Sequence, residues 1–339
     1  MRKELRTYLK NRAVFRHCII PTKRAAERKI WDFKRRASEA LRRARYRAIG
    51  KREFITDLRT AIENRVGYAV GKIGWSPQYW MYYEILLGKE SSSGKVKEFE
   101  KSLRFHGLKQ SGVFPDDPYF YLHFNKFYVE HVRNLDCLGI CYYPWERELI
   151  HHYRLRSKLI YYPDLEPDRS LPVDENRCYL QYFRGKRILL VCPFGELLKR
   201  MATREIFEGV WCKTGKKWFY PMEVAALEFG YGFSGETQRK YSTAIDLFQQ
   251  ICEEIDRKEF DIALIAAAGL AIPIASHVKA MGRVAIDLGG HLQWLFGVIG
   301  NRIRERADWK RYFNEHWIDM PEKYRPKEAA EVCDSGAYW

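Results

Sequence analysis

The sequence predicts an α/β fold in which a mostly parallel sheet is flanked by helices. Short, nearly continuous apolar runs at residues 187–192, 260–267 and 284–288 are typical of parallel strands buried on both faces. Helical apolar patterns alternate with these runs, and glycine or proline turns separate them. Because this alternation is typical of a Rossmann-like topology, we expect ligands to bind at the carboxyl ends of the strands.

The globular part of the chain is predicted to form two lobes, residues 53–176 and 177–339. The segment 164–176 is rich in proline and aspartate, which marks a loop or a boundary between them. In the first lobe we predict helices at 53–64, 78–87 and 119–132 and strands at 68–73 and 136–142. In the second we predict strands at 187–192, 218–221, 260–267 and 284–288 and helices at 196–207, 237–258 and 272–281. The apolar ending Ala337-Tyr338-Trp339 indicates a docked C-terminal tail.

Most of the positive charge lies in residues 1–52. The chain has a net charge of +16, and this segment holds 19 Lys or Arg against 4 acidic residues, so the remainder is close to neutral. We predict a basic, helical N-terminal arm. Three interpretations stay open: a solvated arm packed on the body, a surface drawn to anionic lipid head groups, or a nucleic-acid contact. Nucleic acid is disfavoured because no recognition motif accompanies the charge.

The cysteines and the hydropathy pattern indicate the cell compartment. The eight cysteines show no paired spacing typical of a zinc site, and several lie in apolar runs, which favours buried, reduced thiols. No stretch approaches about 18 consecutive apolar residues, and the N-terminus has no signal-peptide core. We therefore expect a cytoplasmic protein, peripheral on the inner face of the plasma membrane if the arm binds lipid.

Two places form the predicted ligand-facing edge. The first is the glycine-rich turn after strand 68–73, where backbone amides at Gly71 and Gly74 and the point charge of Lys72 could meet a phosphate. This turn lacks the spacing of the known phosphate-binding loops, so a plain strand-to-helix turn is equally consistent. The second comprises residues 268–270 and 287–293, which follow two neighbouring buried strands.

Five phrases resemble a family of bacterial polysaccharide-biosynthesis proteins, which is in turn similar to the GT-D fold glycosyltransferases. They are GKIGW at 71–75, GKRILLVCPF at 185–194, the whole block 260–302, FNEHW at 313–317 and SGAYW at 335–339. The resemblance extends in separated blocks over about residues 66–339 and leaves the basic arm uncovered. Its most specific part is the C-terminal block with FNEHW and the YW ending.

The resemblance implies a Rossmann-like enzyme of GT-D type that transfers a sugar from a nucleotide-sugar donor to a glycan acceptor. The acceptor would be a surface polysaccharide or a glycoconjugate, free or lipid-linked. In GT-D enzymes an Asp-x-Glu motif after the first strand engages the donor and a divalent metal. Here Trp75, Ser76, Pro77 and Gln78 occupy those positions, and the turn at 266–270 is less glycine-rich than in the relatives.

The missing acidic pair bears on the cofactor, because Mg²⁺ and Mn²⁺ prefer hard oxygen ligands. A divalent metal is therefore doubtful, and two alternatives follow. Either cations such as Lys72 neutralise the diphosphate, or this chain has lost activity.

The resemblance also implies roles for individual residues. Glu196 is a candidate base for an acceptor hydroxyl, although a glutamate at a helix start also interacts favourably with the helix dipole. His291 is a candidate for binding diphosphate or acting as base, and the alternative is a histidine satisfied at a helix start. The predicted donor-binding residues are Gly71, Lys72, Gly74, Gln78, Pro193, Phe194, Gly269, Asp287, Gly289, Gly290 and Gln293.

Two other functions stay open. The chain could be a non-catalytic nucleotide-sugar-binding or scaffolding subunit of the same pathway, which the missing acids favour. It could also be a different nucleotide-dependent enzyme, such as a methyltransferase, because Rossmann-like sheets host many chemistries.

Overall fold

The computed structural model describes residues 45–89, 93–166, 174–216 and 219–339. The chain divides into two units, residues 1–48 and 49–339, and the second unit is described below. The predicted basic arm lies outside the described residues up to position 44, and so do residues 167–173 of the predicted lobe boundary.

One parallel sheet of seven strands organises the second unit, with the strand order β3-β2-β1-β7-β6-β4-β5. This arrangement confirms the predicted Rossmann-like α/β fold. A separate pair, β8 and β9, is also parallel. The strands are β1 Tyr68–Lys72, β2 Cys137–Ile140, β3 Lys158–Tyr161, β4 Arg187–Val191, β5 Glu223–Leu227, β6 Ile262–Ile265, β7 Val284–Asp287, β8 Val298–Ile299 and β9 Ile318–Asp319.

Helices cover both faces of the sheet. Successive strand residues point to opposite faces, so Val70 of β1 packs into one apolar cluster and Ala69 into the other. The helices are α1 Lys51–Asn64, α2 Pro77–Lys89, α3 Ser93–Arg104, α4 Pro118–Arg133, α5 Glu146–His152, α6 Gly195–Met201, α7 Arg204–Val210, α8 Gly235–Lys240, α9 Ala244–Asp256, α10 Ala271–Ala280, α11 His291–Leu295, α12 Asn301–Arg304, α13 Ala307–Lys310 and α14 Cys333–Gly336. Helices α1, α6 and α7 pack on one face, and α2, α4, α9 and α10 pack on the other.

Strands from both predicted lobes join this one sheet. The first three strands come from residues 53–176 and the next four from residues 177–339. The two sets meet where β1 pairs with β7, with Val70 opposite Ile286. No helix in the described ranges is long and apolar enough to cross a membrane.

Two predicted helices are wrong in extent because a threonine cap divides each of them. The predicted helix 237–258 forms α8 and α9, since Tyr241 is extended and Thr243 forms a capping box with Asp246. The predicted helix 196–207 likewise forms α6 and α7, with Thr203 accepting a hydrogen bond from the Ile206 amide.

The predicted strand at 218–221 is also wrong. Trp218 lies outside the described residues, and 219–221 has no regular structure. Pro221 has no amide hydrogen for a sheet ladder, and pairing with β4 begins two residues later, where Glu223 lies opposite Arg187. Strand β3 was not predicted.

Candidate functional site

A cavity opens at the carboxyl edge of the sheet, where the connections that follow the strands pass to opposite faces of the sheet. After β1 the chain passes to the face that holds Trp80 of α2, and after β4 it passes to the opposite face, which holds Leu197 of α6. Strands β7 and β6 lie between these two, so their carboxyl ends form the floor of a crevice. The cavity has a volume of about 490 Å³, within the usual range for small-molecule sites.

Both polar and aromatic side chains line this cavity. The charged groups are Lys72, Asp287, Arg302 and Arg306. Among the described residues, aromatic side chains also line it: Trp75, Tyr143, Tyr162, Phe194, Phe229, Tyr231, Phe233, His291, Trp294, Tyr338 and Trp339.

A chain of hydrogen bonds runs from Lys72 to Glu166. The Lys72 ammonium donates to the Tyr162 hydroxyl at 2.7 Å and lies 4.0 Å from the centre of the tyrosine ring. The same hydroxyl is 2.9 Å from Nδ1 of His291. On the far side of the imidazole, Nε2 is 2.5 Å from Oε1 of Glu166, whose side chain is buried.

The direction of each hydrogen bond follows from the groups involved. Because an ammonium can only donate, the Tyr162 oxygen accepts from Lys72 and its O–H is available to donate to Nδ1 of His291. The imidazole proton is then assigned to Nε2, which donates to Glu166. Both ring nitrogens of His291 are therefore engaged inside the protein, which suits a residue that positions Tyr162 and Lys72.

Asp287 ends β7 beside the Lys72 ammonium. Its Oδ1 accepts a hydrogen bond from the Gly289 amide at 2.9 Å. Burial raises the pKa of the Asp287 carboxyl, and this shift is opposed by the charge of Lys72 and by the backbone amides of Gly289 and Lys72. Gly289 has a φ of +51°, and a β-carbon there would lie 2.7 Å from Nζ of Lys72. Glycine thus permits both the turn and the position of the lysine.

Two arginines supply further positive charge to the wall. Arg302 lies 4.9 Å from the ring centre of Tyr338 and 3.4 Å from its hydroxyl. Arg306 donates from Nε and Nη2 to the two carboxylate oxygens of Asp308, at 3.0 and 2.6 Å, which fixes the plane of its guanidinium.

Aromatic rings stand at two sides of the cavity. On the β5 side, Tyr231 and Phe233 stack at 5.1 Å with an interplanar angle of 15°, and Trp339 meets Tyr231 edge-on at 5.4 Å. On the β1 side, Trp75 meets Tyr143 edge-on at 5.3 Å. These flat surfaces can stack on a nucleobase or on the apolar face of a sugar.

Residues 75–78, where the resemblance predicts an acidic pair, include no carboxylate. Trp75 is 38% exposed, and Ser76 Oγ lies 3.2 Å from Nδ1 of His106. Gln78 is fully buried outside the cavity wall, and within the described part of the chain its amide atoms have no hydrogen-bond partner.

The residues at this site do not fit a Mg²⁺ or Mn²⁺ centre. Asp287 is the only carboxylate among the described residues that line the cavity. Across the four described ranges, no group of three or more His, Cys, Asp or Glu side chains is placed to hold a metal ion. Hard divalent cations need several oxygen ligands, so the cavity offers too few.

The structure brings together most of the predicted site residues. Those that line the cavity are Lys72, Gly74, Pro193, Phe194, Asp287, Gly289, Gly290 and His291. Glu196 does not line it: the side chain is exposed and lies 4.0 Å from Lys199 in an ion pair.

Four predicted donor-binding residues lie outside the described cavity wall and pack within the protein. Gly71 lies against Ile272 of α10, and Gly269 lies against Val113. Gln78 is buried in the body, and Gln293 is buried and donates to the Tyr338 carbonyl at 3.0 Å. None of the four belongs to the described cavity wall.

Sequence reasoning missed several cavity residues, namely Tyr162, Arg302, Arg306 and Tyr338, as well as Glu166 behind them. Only Tyr162 had a usable signal, because it follows the short apolar run KLIY of β3 directly. The others come from segments without a strand-end pattern.

The fold and the cavity define a Rossmann-like α/β protein with a small-molecule site at its topological switch point. In agreement with this class, a family model described as a GT-D fold-like domain matches residues 241–295. That stretch contains α9, β6, α10, β7 and α11, and so includes Asp287 and His291. Over these residues the chain is similar to the GT-D fold-like domain. No curated protein and no solved structure matches this chain.

Proposed function

We propose that the chain is a glycosyltransferase that moves a sugar from a nucleotide-sugar donor to a polysaccharide or glycoconjugate acceptor. The observation that carries this proposal is the composition of the cavity, which combines three cationic side chains with aromatic walls at the carboxyl edge of the sheet. The similarity to a GT-D fold-like domain over residues 241–295 gives independent support.

The cavity matches the parts of a nucleotide sugar. A nucleobase can stack on an aromatic wall, such as that formed by Tyr231 and Phe233. The diphosphate can lie near Lys72 and Arg302, because charge-assisted hydrogen bonds to phosphate are strong. The sugar would then lie toward the remaining wall, where an acceptor can approach.

The transfer needs a developing charge to be neutralised and a proton to be removed. The bond between the anomeric carbon and the diphosphate breaks, and a bond to the acceptor oxygen forms. The cations stabilise the departing diphosphate. Asp287 lines the cavity and is the candidate to accept the acceptor proton; burial raises the pKa of its carboxyl, which favours proton uptake. His291 would hold the Tyr162 hydroxyl in place, and that hydroxyl in turn would hold the Lys72 ammonium.

Release of nucleoside diphosphate tests this activity. The protein is incubated with UDP-, GDP- and dTDP-sugars, with and without neutral oligosaccharides, and free diphosphate is measured. We expect release with one donor and a loss of at least about 100-fold in Asp287→Asn. Glu196→Gln is the matched control, because Glu196 is exposed and outside the cavity wall. Donor binding without release from any donor would support a non-catalytic subunit instead.

The basic arm supports a further part of this proposal. Residues 1–52 hold 19 basic and 4 acidic side chains, which suits attraction to anionic lipid on the cytoplasmic face of a plasma membrane. A lipid-linked acceptor of bacterial surface-polysaccharide synthesis would then be within reach.

Deletion of residues 1–48 tests the role of the arm. The cut is placed before Ile49 because Lys51 is buried and donates to the Glu166 carbonyl at 2.5 Å. The shortened protein should no longer sediment with phosphatidylserine vesicles but should bind the donor as before. Unchanged sedimentation would contradict the lipid interpretation of the arm.

A further inference from the structure

We propose that Lys72, Arg302 and Arg306 together bind the donor diphosphate in place of a divalent cation. This inference rests on the proposed function, because it assumes a nucleotide-sugar donor. It goes further by assigning the diphosphate site to three side chains, two of which had no sequence signal, and by making donor binding independent of metal.

The charge of the cavity matches the ligand. Among the described residues that line it, three are cationic and one is a carboxylate, and Asp308 behind the wall pairs with one of the cations, Arg306. A nucleotide sugar carries two negative charges on its diphosphate, one on each phosphate. The cations can therefore balance a diphosphate without an added metal ion, and a second phosphate group offers them more oxygen atoms to bind than a nucleoside monophosphate does.

The position of Lys72 is fixed by the protein rather than by the ligand. Its ammonium donates to Tyr162 at 2.7 Å, lies over the ring of that tyrosine and passes close to Gly289. His291 and Glu166 hold Tyr162 in turn. A lysine restrained in this way is preorganised, so little side-chain entropy is lost when phosphate binds.

The two arginines are also restrained. They are four residues apart around the end of α12, and both belong to the cavity wall. Asp308 fixes the guanidinium plane of Arg306, and Tyr338 packs against that of Arg302. Planar guanidinium groups in fixed orientations suit the tetrahedral oxygens of phosphate.

The cavity wall provides too few carboxylates to form a metal centre beside these cations. A bound Mg²⁺ would need oxygen ligands, but Asp287 accepts from Gly289 and lies beside Lys72, and Trp75 to Gln78 replace the acids at the rim. The same cavity wall thus offers three cationic side chains but too few oxygen ligands for a divalent metal.

Calorimetric titration tests the inference on the full-length native protein. UDP, GDP and dTDP are titrated in 5 mM EDTA and, separately, in 5 mM Mg²⁺ or Mn²⁺, with the matching monophosphates beside them. We expect the preferred diphosphate to bind in EDTA with a Kd within about threefold of that in metal, and at least about tenfold more tightly than its monophosphate. Binding that appears only with a divalent cation would overturn the inference while leaving the proposed function in place. No binding in any buffer would overturn both.

Matched variants test the residues. Arg302→Ala and Arg306→Ala should each raise the Kd in EDTA about tenfold or more. Arg304→Ala is the control from the same helix, because Arg304 is paired with Asp319 at 2.7 Å and is not part of the described cavity wall. If all three variants bind the diphosphate as the native protein does, the assignment to these arginines is wrong. The comparison of EDTA with metal remains decisive for the native protein if a variant fails to fold.

Discussion

The hydroxyl of Tyr162 is predicted to stabilise both the fold and the cavity, and Tyr162→Phe removes it alone. The hydroxyl accepts from Lys72 at 2.7 Å and lies 2.9 Å from Nδ1 of His291. Burial raises the pKa of this hydroxyl well above its ordinary value, so it stays protonated at neutral pH and can donate to the imidazole. The phenylalanine ring keeps the packing and the cation–π contact.

The magnitude follows from the two hydrogen bonds lost. A hydrogen bond to a charged group contributes about 1.5–3 kcal/mol, and a neutral one contributes about 1 kcal/mol. Because Tyr162 is only partly buried, water from the cavity can replace part of this interaction. We therefore expect Tyr162→Phe to lower the free energy of unfolding by about 2 kcal/mol.

Urea denaturation followed by circular dichroism measures this loss. Tyr119→Phe is the matched control, since Tyr119 is 82% exposed and its substitution should change the unfolding free energy by less than about 0.5 kcal/mol. The Kd for the preferred nucleoside diphosphate should also rise in Tyr162→Phe, because Lys72 loses its anchor. A variant as stable as the control, with native affinity, would refute the role given to this hydrogen-bonded chain.

Two further predictions concern Glu146 and Gly289. Burial raises the pKa of Glu146 from 4.5 to about 7, although hydrogen bonds from the backbone amides of residues 141–143 act in the opposite direction. Because the folded-state pKa lies above the unfolded one, the free energy of unfolding falls as pH rises between the two values. In urea denaturation, the native protein should therefore lose about 2 kcal/mol relative to Glu146→Gln from pH 5 to pH 8, and a difference that stays constant with pH would contradict this. Gly289→Ala should lower stability by about 1–2 kcal/mol and weaken diphosphate binding, because its β-carbon would displace Lys72. Gly282→Ala is its control: the φ is +76° but the space is open, so calorimetry should show native affinity there, and equal affinity in both variants would contradict the displacement.

The fold class could be predicted because the central strands are buried on both faces. Strands β1, β4, β6 and β7 are almost wholly buried, so each is a near-continuous apolar run in the sequence. Strands β3 and β5 lie at the two edges of the sheet and are partly exposed. Edge strands mix polar and apolar residues, which explains why β3 was missed and β5 was misplaced.

The helix breaks were present in the sequence in principle. Thr243 precedes Asp246 by three residues, the spacing of a capping box, but the apolar periodicity continues across the break. The apolar periodicity alone therefore predicted one long helix, whereas the capping hydrogen bonds divide this segment into two helices.

Some residues of the candidate site could be predicted from the sequence and others could not. Asp287, Gly289 and Lys72 were predicted because they directly follow buried strands, whose carboxyl ends must meet at one edge. Arg302 and Glu166 reach the site through segments after β7 and β3, and long-range packing places them there. Their residue types carry no information about which surface they will face.

The central claim is that the cavity binds a nucleotide sugar. Thermal stability in the presence of ligands tests this claim most directly. The native protein is melted with UDP-, GDP-, CMP- and dTDP-sugars and with S-adenosylmethionine, each at high concentration. A ligand at 100 times its Kd stabilises the folded state by about 2.7 kcal/mol, which raises the melting temperature by several degrees. We predict such a rise with at least one nucleotide diphosphate sugar and none with S-adenosylmethionine. A rise with S-adenosylmethionine alone, or with no nucleotide sugar, would contradict the account.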